Sequence, residues 1–259
     1  MLRAIGVAYV VSVVASEALT VFVDAAVGLV CHAVVILLLL GFALVAGRQE
    51  EGRASSDRAL NPLQVLPALA LVPLARILSL TMPVPDLPPI YWYAVTGAPL
   101  LLAIILTARL FGAAWTRETF RFEWTRTQAL IAVSGVPLGL LAYAALRPQR
   151  LEPHLTKNLV IAGFLVLPVF TGLTEELLFR GILQRVFTDL FGAVGWIAAA
   201  GLFTAMYLGT KSGPYIAVVA LVGLFFGWCV RVTRSLGGVV TAHAFISIGL
   251  VLVWPYVLG

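Results

Sequence analysis

Charge is what this sequence has least of. Among 259 residues only 12 are acidic and 17 are Lys or Arg, 11% in all, where a soluble domain carries about a quarter. With 61% hydrophobic residues and a mean hydropathy of +1.02, that scarcity excludes a large water-soluble domain and points to a membrane protein. Cysteine is equally scarce. Cys31 and Cys229 both lie in apolar runs, so no disulfide framework or CxxC metal site is available, and each thiol reads as a small hydrophobe. The net charge of +5 does not imply a nucleic-acid partner, because the cations are scattered between apolar runs and form no basic stripe for a phosphate backbone. Internal repeats are also missing.

Apolar sequence is what is abundant. Runs long enough to cross a bilayer, which takes about 20 residues, fall near 4–23, 27–46, 60–80, 91–110, 129–146, 159–174, 192–209, 215–231 and 238–258, the sixth continuing past Thr174. The expected fold class is therefore all-α, a polytopic transmembrane helical bundle of about eight or nine helices. The first run leads straight into the second and reads as a retained helix rather than a cleaved signal. Loop cations set the orientation. An inside N-terminus puts Arg3, the group Arg48 to Arg58, the group Arg109 to Arg126, Arg180 with Arg185, and Arg231 with Arg234 on the inner side. Arg147, Arg150, Lys157 and Lys211 then fall outside, loop 147–158 being the one dissenting piece, while Arg76 lies within a span. The expected location is the plasma membrane of a prokaryote, with membrane lipids as surroundings and a cytoplasmic N-terminus. The stretch Met82 to Pro89, with four prolines, reads as a rigid extended outer loop.

Ionisable groups within spans are costly and are functional candidates by default. They are Glu17, Asp24, His32, Arg76, the cluster Glu175, Glu176 and Arg180, then Asp189 and His243. Glu17 and His32 are expected to pair between the first two helices, Arg76 to reach an interface or a carboxylate, and Asp24 to mark a loop. In the cluster, Glu176 and Arg180 are four apart and share a helix face, so an ion pair is natural. Glu175, rotated about 100°, is left free and suits a general base. The competing reading makes Thr174 the cap of an interfacial helix with acidic residues in its first turn. Further on, Phe203 and Tyr207 share one face, and so do His243 and Ser247. A carboxylate, a phenol, an imidazole and a hydroxyl on three helices can meet in one buried polar pocket.

In their order and spacing these residues resemble the CPBP family of intramembrane proteases, which includes CAAX prenyl endopeptidases and bacteriocin-processing proteins. That family shows Glu-Glu-x-x-x-Arg, then Phe-x-x-x-His, then His-x-x-x-Asn or Asp. Glu175, Glu176 and Arg180, followed by Gly181, match the first; Phe203 matches the second with Tyr207 in place of its histidine; His243 matches the third with Ser247 in place of its amide or acid. The resemblance covers 159–258, dividing the chain into N-terminal transmembrane helices of unassigned role (1–158) and a protease-like core (159–259). It implies an integral-membrane endopeptidase in which Glu175 activates water, Glu176 and Arg180 hold the motif helix, and His243 donates to the oxyanion. Tyr207 still hydrogen-bonds water but lacks imidazole's acceptor, and Ser247 is a shorter donor than an amide. Its substrate would be a membrane-associated protein or peptide. No cofactor is expected. Zinc is disfavoured, because a catalytic ion takes three protein ligands and this pocket offers one histidine with Glu175 and Glu176.

Two other readings compete: a pseudoprotease of the same fold that binds a membrane segment without cutting it, and a small transporter using Glu175, His243, Glu17 and Arg76 as a path. Gly223 and Gly227 form a small-xxx-small pattern that favours internal packing over dimerisation. Gly237-Gly238 is expected to act as a turn or hinge at the mouth of the site.

Overall fold

The computed structural model describes residues 2–50, 62–82 and 87–259. Arg53, Arg58 and the centre of the Pro-rich stretch, 83–86, lie outside the described residues. The rest is a helical membrane bundle. Helices α1 (Leu2–Phe22), α2 (Ala25–Glu50), α3 (Pro62–Thr81) and α4 (Trp92–Leu110) are followed by a short α5 (Ala113–Thr119) and by α6 (Arg126–Leu146). Next comes a long rod, α7, which starts as Lys157–Leu167 and ends as Gln184–Phe191. The return helix α8 (Gly195–Ala205), α9 (Gly213–Thr233) and α10 (Gly237–Ile248, running on to Val257) complete the chain. Among the described residues eight stretches are long and apolar enough to cross a membrane; the sixth, 54 residues from Lys157 to Thr210, holds both α7 and α8. The runs expected near 159–174 and 192–209 both fall in that one stretch, whereas the first two runs are separate helices on either side of Asp24.

Helices dominate because inside a bilayer each backbone N–H and C=O must be satisfied within the chain. Prolines at 67, 73, 99 and 137 sit inside α3, α4 and α6, a position tolerated in membrane helices because neighbours re-satisfy the freed carbonyls. Large apolar side chains such as Leu37, Leu44, Leu106, Leu130 and Leu165 stay more than half exposed on the outside of the bundle, the face a lipid-embedded protein presents. Asp24 starts α2, its Oδ1 accepting from the Ala26 and Val27 amides at 2.9 and 3.1 Å, an N-cap.

The middle of α7 is wound wide. Pro168–Leu173 and Leu177–Leu183 are π-helical, flanking one ordinary turn at Thr174–Glu176. Thr171 donates to the Leu167 carbonyl at 2.6 Å and Thr174 to the Val169 carbonyl at 2.8 Å, so side-chain hydroxyls supplement the ladder where it widens. Wide turns of this kind gather at functional sites. Thr174 is fully buried in mid-rod, so it caps no interfacial helix.

The two ends of the bundle collect distinct loops. At one end Arg185 pairs with Glu118 at 3.5 Å, Arg231 donates to the Ala193 carbonyl at 3.2 Å, and the Leu236 amide donates to the Arg121 carbonyl at 2.7 Å. At the other Arg150 donates to the Pro255 carbonyl at 2.9 Å, and Ser212 donates to the Ala145 carbonyl at 3.2 Å. Arg180 belongs to neither end. It is 4% exposed inside the bundle, so it is not a topology determinant of the inner loops. Gly223 and Gly227 both face α8, against Phe203 and Trp196, and serve internal packing. Gly237 and Gly238 form no hinge at the cavity described below: they are buried in the first turn of α10, where the Gly238 amide donates to Gln128 Oε1 at 2.5 Å.

α10 lies between α6 and the π-helical part of α7, and small residues set how closely. A Cβ on Gly135 of α6 would collide with the backbone of Ala242, and one on Gly172 of α7 would stand 3.0 Å from the Ala244 amide nitrogen. Those contacts bracket His243. Gly135→Val should therefore destabilise the protein by about 2–3 kcal/mol, read as a lowered thermal unfolding midpoint in detergent against an unshifted Gly41→Ala control, whose Cβ meets nothing.

Candidate active site

Glu176 is the anchor. Fully buried, it accepts at Oε1 from Arg180 Nη1 at 3.0 Å and lies 2.7 Å from His243 Nδ1. The i,i+4 pair expected from spacing is thus present although the turn between the two is π-helical. The Arg180 guanidinium rests 4.2 Å above the Phe203 ring and 5.7 Å from that of Phe226, so its charge is shared between a carboxylate and two aromatic faces. Its Nη2 also reaches the Gly223 carbonyl at 3.4 Å. One ion pair therefore ties α7 to α8, α9 and α10.

Glu175 points elsewhere, as adjacent helical residues must. Its Oε2 accepts from the Tyr207 hydroxyl at 2.8 Å and stands 3.8 Å from His243 Nε2. Its side chain keeps 27% exposure and lines a cavity of about 130 Å³ together with Tyr93, Thr171, Phe203, Tyr207, Tyr215, His243 and Ser247. Ala142, Val218, Val222, Ile246 and Leu250 make the remaining wall apolar. The cavity belongs to the half of the bundle nearer the C-terminal end of α6 and the start of α7. All three motif segments meet there.

The hydrogen bonds fix roles more narrowly than spacing does. Glu176 holds Nδ1 of His243 as the N–H, so Nε2 is the ring atom that faces Glu175 and the cavity. Ser247 shares a hydrogen bond with Thr171 at 2.8 Å. Thr171 has one hydrogen and already donates it to the Leu167 carbonyl at 2.6 Å, so Ser247 donates to Thr171. A donor expected to face substrate is engaged within the bundle. Tyr207 lies just past the end of α8, its ring 5.2 Å from that of Phe203.

Glu17, His32 and Arg76 form a separate buried group in α1, α2 and α3. Arg76 grips Glu17 with two bonds, Nε to Oε1 at 2.9 Å and Nη2 to Oε2 at 2.6 Å. His32 Nε2 is 3.3 Å from Glu17 Oε1, near enough for ionic contact but not aligned as a hydrogen bond. Arg76 Nη2 also donates to the Met206 carbonyl at 2.6 Å, so the N-terminal helices brace the residue before Tyr207. Asp189 stands apart, 3.7 Å from Arg185 at the end of α7. Sequence spacing did not single out Tyr93, Thr171 or Tyr215. They carry no motif, and only the packing of α4 and α9 against α7 brings them together.

Among the described residues no group of three or more His, Cys, Asp and Glu side chains is arranged to hold a metal. A guanidinium already occupies Glu176, which leaves Glu175 and His243 as two candidate ligands where catalytic zinc takes three.

A carboxylate and an imidazole thus face one small cavity within a membrane-spanning bundle. Residues 157–249 match the family described as Type II CAAX prenyl endopeptidase Rce1-like. No curated protein and no solved structure matches the chain. The matched segment holds Glu175, Glu176, Arg180, Phe203, Tyr207, His243 and Ser247, whereas Tyr93 and Arg76 lie before it.

Breaking the anchor should be costly. Arg180→Met leaves Glu176 buried without its cation and is expected to lower stability by about 3–5 kcal/mol, seen as a fall in the detergent unfolding midpoint. Restoring the midpoint with the double replacement Glu176→Leu/Arg180→Met would confirm that the loss comes from the stranded charge.

Proposed function

We propose that this protein is an integral-membrane endopeptidase that cleaves membrane-associated proteins or peptides with a glutamate-activated water and no metal. The observation that carries the reading is the pairing within one cavity of Glu175, whose neighbour Glu176 takes up the structural cation, with the Nε2 of His243. A general base must be within reach of the water it deprotonates. A water between Glu175 and His243 would satisfy both across their 3.8 Å separation. Glu175 takes its proton, the oxygen adds to the scissile carbonyl, and the proton then passes to the departing amine. Glu176 and Arg180 hold the geometry without touching substrate. The distribution of arginines favours an N-terminus in the cytoplasm of a prokaryotic cell.

Glu175→Gln and His243→Ala are each expected to reduce cleavage by about 100-fold or more while the protein still inserts. Quantifying new peptide termini in membranes that carry wild type or each variant measures this, and unaltered termini with Glu175→Gln would overturn the reading.

One pair of contacts favours a second reading, a pseudoprotease that binds a membrane segment without cutting it. Tyr207 donates to Glu175 where the family places a histidine, and Ser247 is committed to Thr171. On that reading Tyr207→His combined with Ser247→Asn creates cleavage where wild type shows none, and the same comparison of termini detects it.

A further inference from the structure

The mechanism leaves one need unmet: a donor for the carbonyl oxygen as it becomes negative. Of the polar groups around the cavity, Tyr207 spends its hydrogen on Glu175, Thr171 on the Leu167 carbonyl and Ser247 on Thr171. His243 commits Nδ1–H to Glu176. In the neutral ring Nε2 then carries a lone pair, so this atom donates only as imidazolium. Two O–H groups remain. Tyr93 on α4 and Tyr215 on α9 line the same cavity, and neither hydroxyl has a hydrogen-bond partner among the described residues.

We propose that Tyr93 and Tyr215 form the oxyanion hole, the role expected from sequence to fall to His243 and Ser247. The assignment rests on the endopeptidase reading above. As the water oxygen bonds to the carbonyl carbon, the C=O π pair moves onto oxygen, and the two phenols donate to that oxygen while Glu175 takes the water's proton. On collapse the pair re-forms the C=O bond, the C–N bond breaks, and the proton on Glu175 goes to the amine. The phenols donate hydrogen bonds throughout and give up no proton.

The scaffold suits fixed donors, which act because they need no reorganisation when charge develops. Tyr215 lies in the first turn of α9, its amide donating to the Ser212 cap at 3.4 Å and its ring meeting that of Tyr207 edge-on at 6.1 Å. Tyr93 lies at the start of α4, directly after the tight turn Pro89–Tyr91. Neither hydroxyl is among the polar partners of the Glu176–Arg180 anchor, so removing one leaves those bonds in place.

The test uses full-length protein in detergent and a synthetic peptide spanning the most frequent cleavage site found in membranes containing wild type. Tyr93→Phe and Tyr215→Phe should each lower kcat by about 100-fold, with KM within about threefold of wild type and the thermal midpoint unchanged. If wild type cleaves, Glu175→Gln does not, and both Phe variants keep wild-type kcat, the oxyanion assignment is overturned while the endopeptidase reading stands. A rise in KM with kcat unchanged overturns it too, since it assigns the phenols to substrate binding. If wild type produces no new termini, the reading and the assignment fall together.

Discussion

A carboxylate deep in a membrane bundle has no water to fall back on, and Glu176 is buried completely. Unpaired, its charge would be prohibitive. Its Oε1 is shared by a guanidinium from its own helix and an imidazole from another, and that guanidinium is cradled by Phe203 and Phe226 of two further helices. Each partner therefore fixes a separate piece of backbone. The relative placement of α7, α8, α9 and α10 follows from meeting one electrostatic requirement, and the cavity lies where those four converge with α4 and α6. A second group obeys the same rule. Glu17, gripped by Arg76, joins α1 to α3, and the spare hydrogen-bonding capacity of Arg76 ends on the Met206 carbonyl. The N-terminal helices, silent in their motifs, thus contribute a hydrogen bond beside Tyr207 as well as Tyr93 itself.

Position along α7 matters as much as pairing. An ideal helix puts residues 175 and 176 about 100° apart, which is enough to send one carboxylate to the anchor and the other to the cavity. The widened turns on both sides change what else faces that way. They carry Thr171 to Ser247 and leave Gly172 against the backbone of α10, bringing His243 within 2.7 Å of Glu176. The Thr171 hydroxyl that supplements the ladder there is the same group that engages Ser247. Backbone satisfaction and site chemistry are coupled through shared hydrogen atoms.

Much of this was legible in the sequence, for definite reasons. Hydropathy reports lipid-crossing helices because few charges can enter the bilayer, so the helical fold was open to reading. The division of the stretch Lys157–Thr210 into rod and return helix, and the narrow break at Asp24, were what left the count between eight and nine. The Glu176–Arg180 pair was legible because i,i+4 geometry is local, and the meeting of Glu175, Tyr207 and His243 was legible from the order and spacing of three short patterns. Arg180 was misplaced among loop cations because composition cannot separate a buried guanidinium from an exposed one. The Gly237-Gly238 pair was misread for a related reason. Two glycines signal either a hinge or a close approach, and only the position of Gln128 decides between them. Tyr93 and Tyr215 were invisible because a tyrosine near a helix end is common, and nothing local shows that two such ends face one carboxylate.

The substitution at position 207 then takes on a sharper meaning. An imidazole there would add a basic acceptor or a donor beside Glu175, but a neutral phenol is a donor and only a weak acceptor, and its hydrogen is already directed at Oε2. That bond occupies one face of the carboxylate and leaves the rest of Glu175 to meet water from the cavity. The acceptor that a histidine would have supplied is available instead from Nε2 of His243, because Glu176 claims the other ring nitrogen. Acceptor and donor have traded sides of the cavity. If His243 holds water as an acceptor, it cannot in the same protonation state donate to an oxyanion. The Tyr207 departure and the engagement of Ser247 by Thr171 thus follow one logic: hydrogen-bond capacity near Glu175 is redistributed, and the unspent O–H groups are the phenols of α4 and α9.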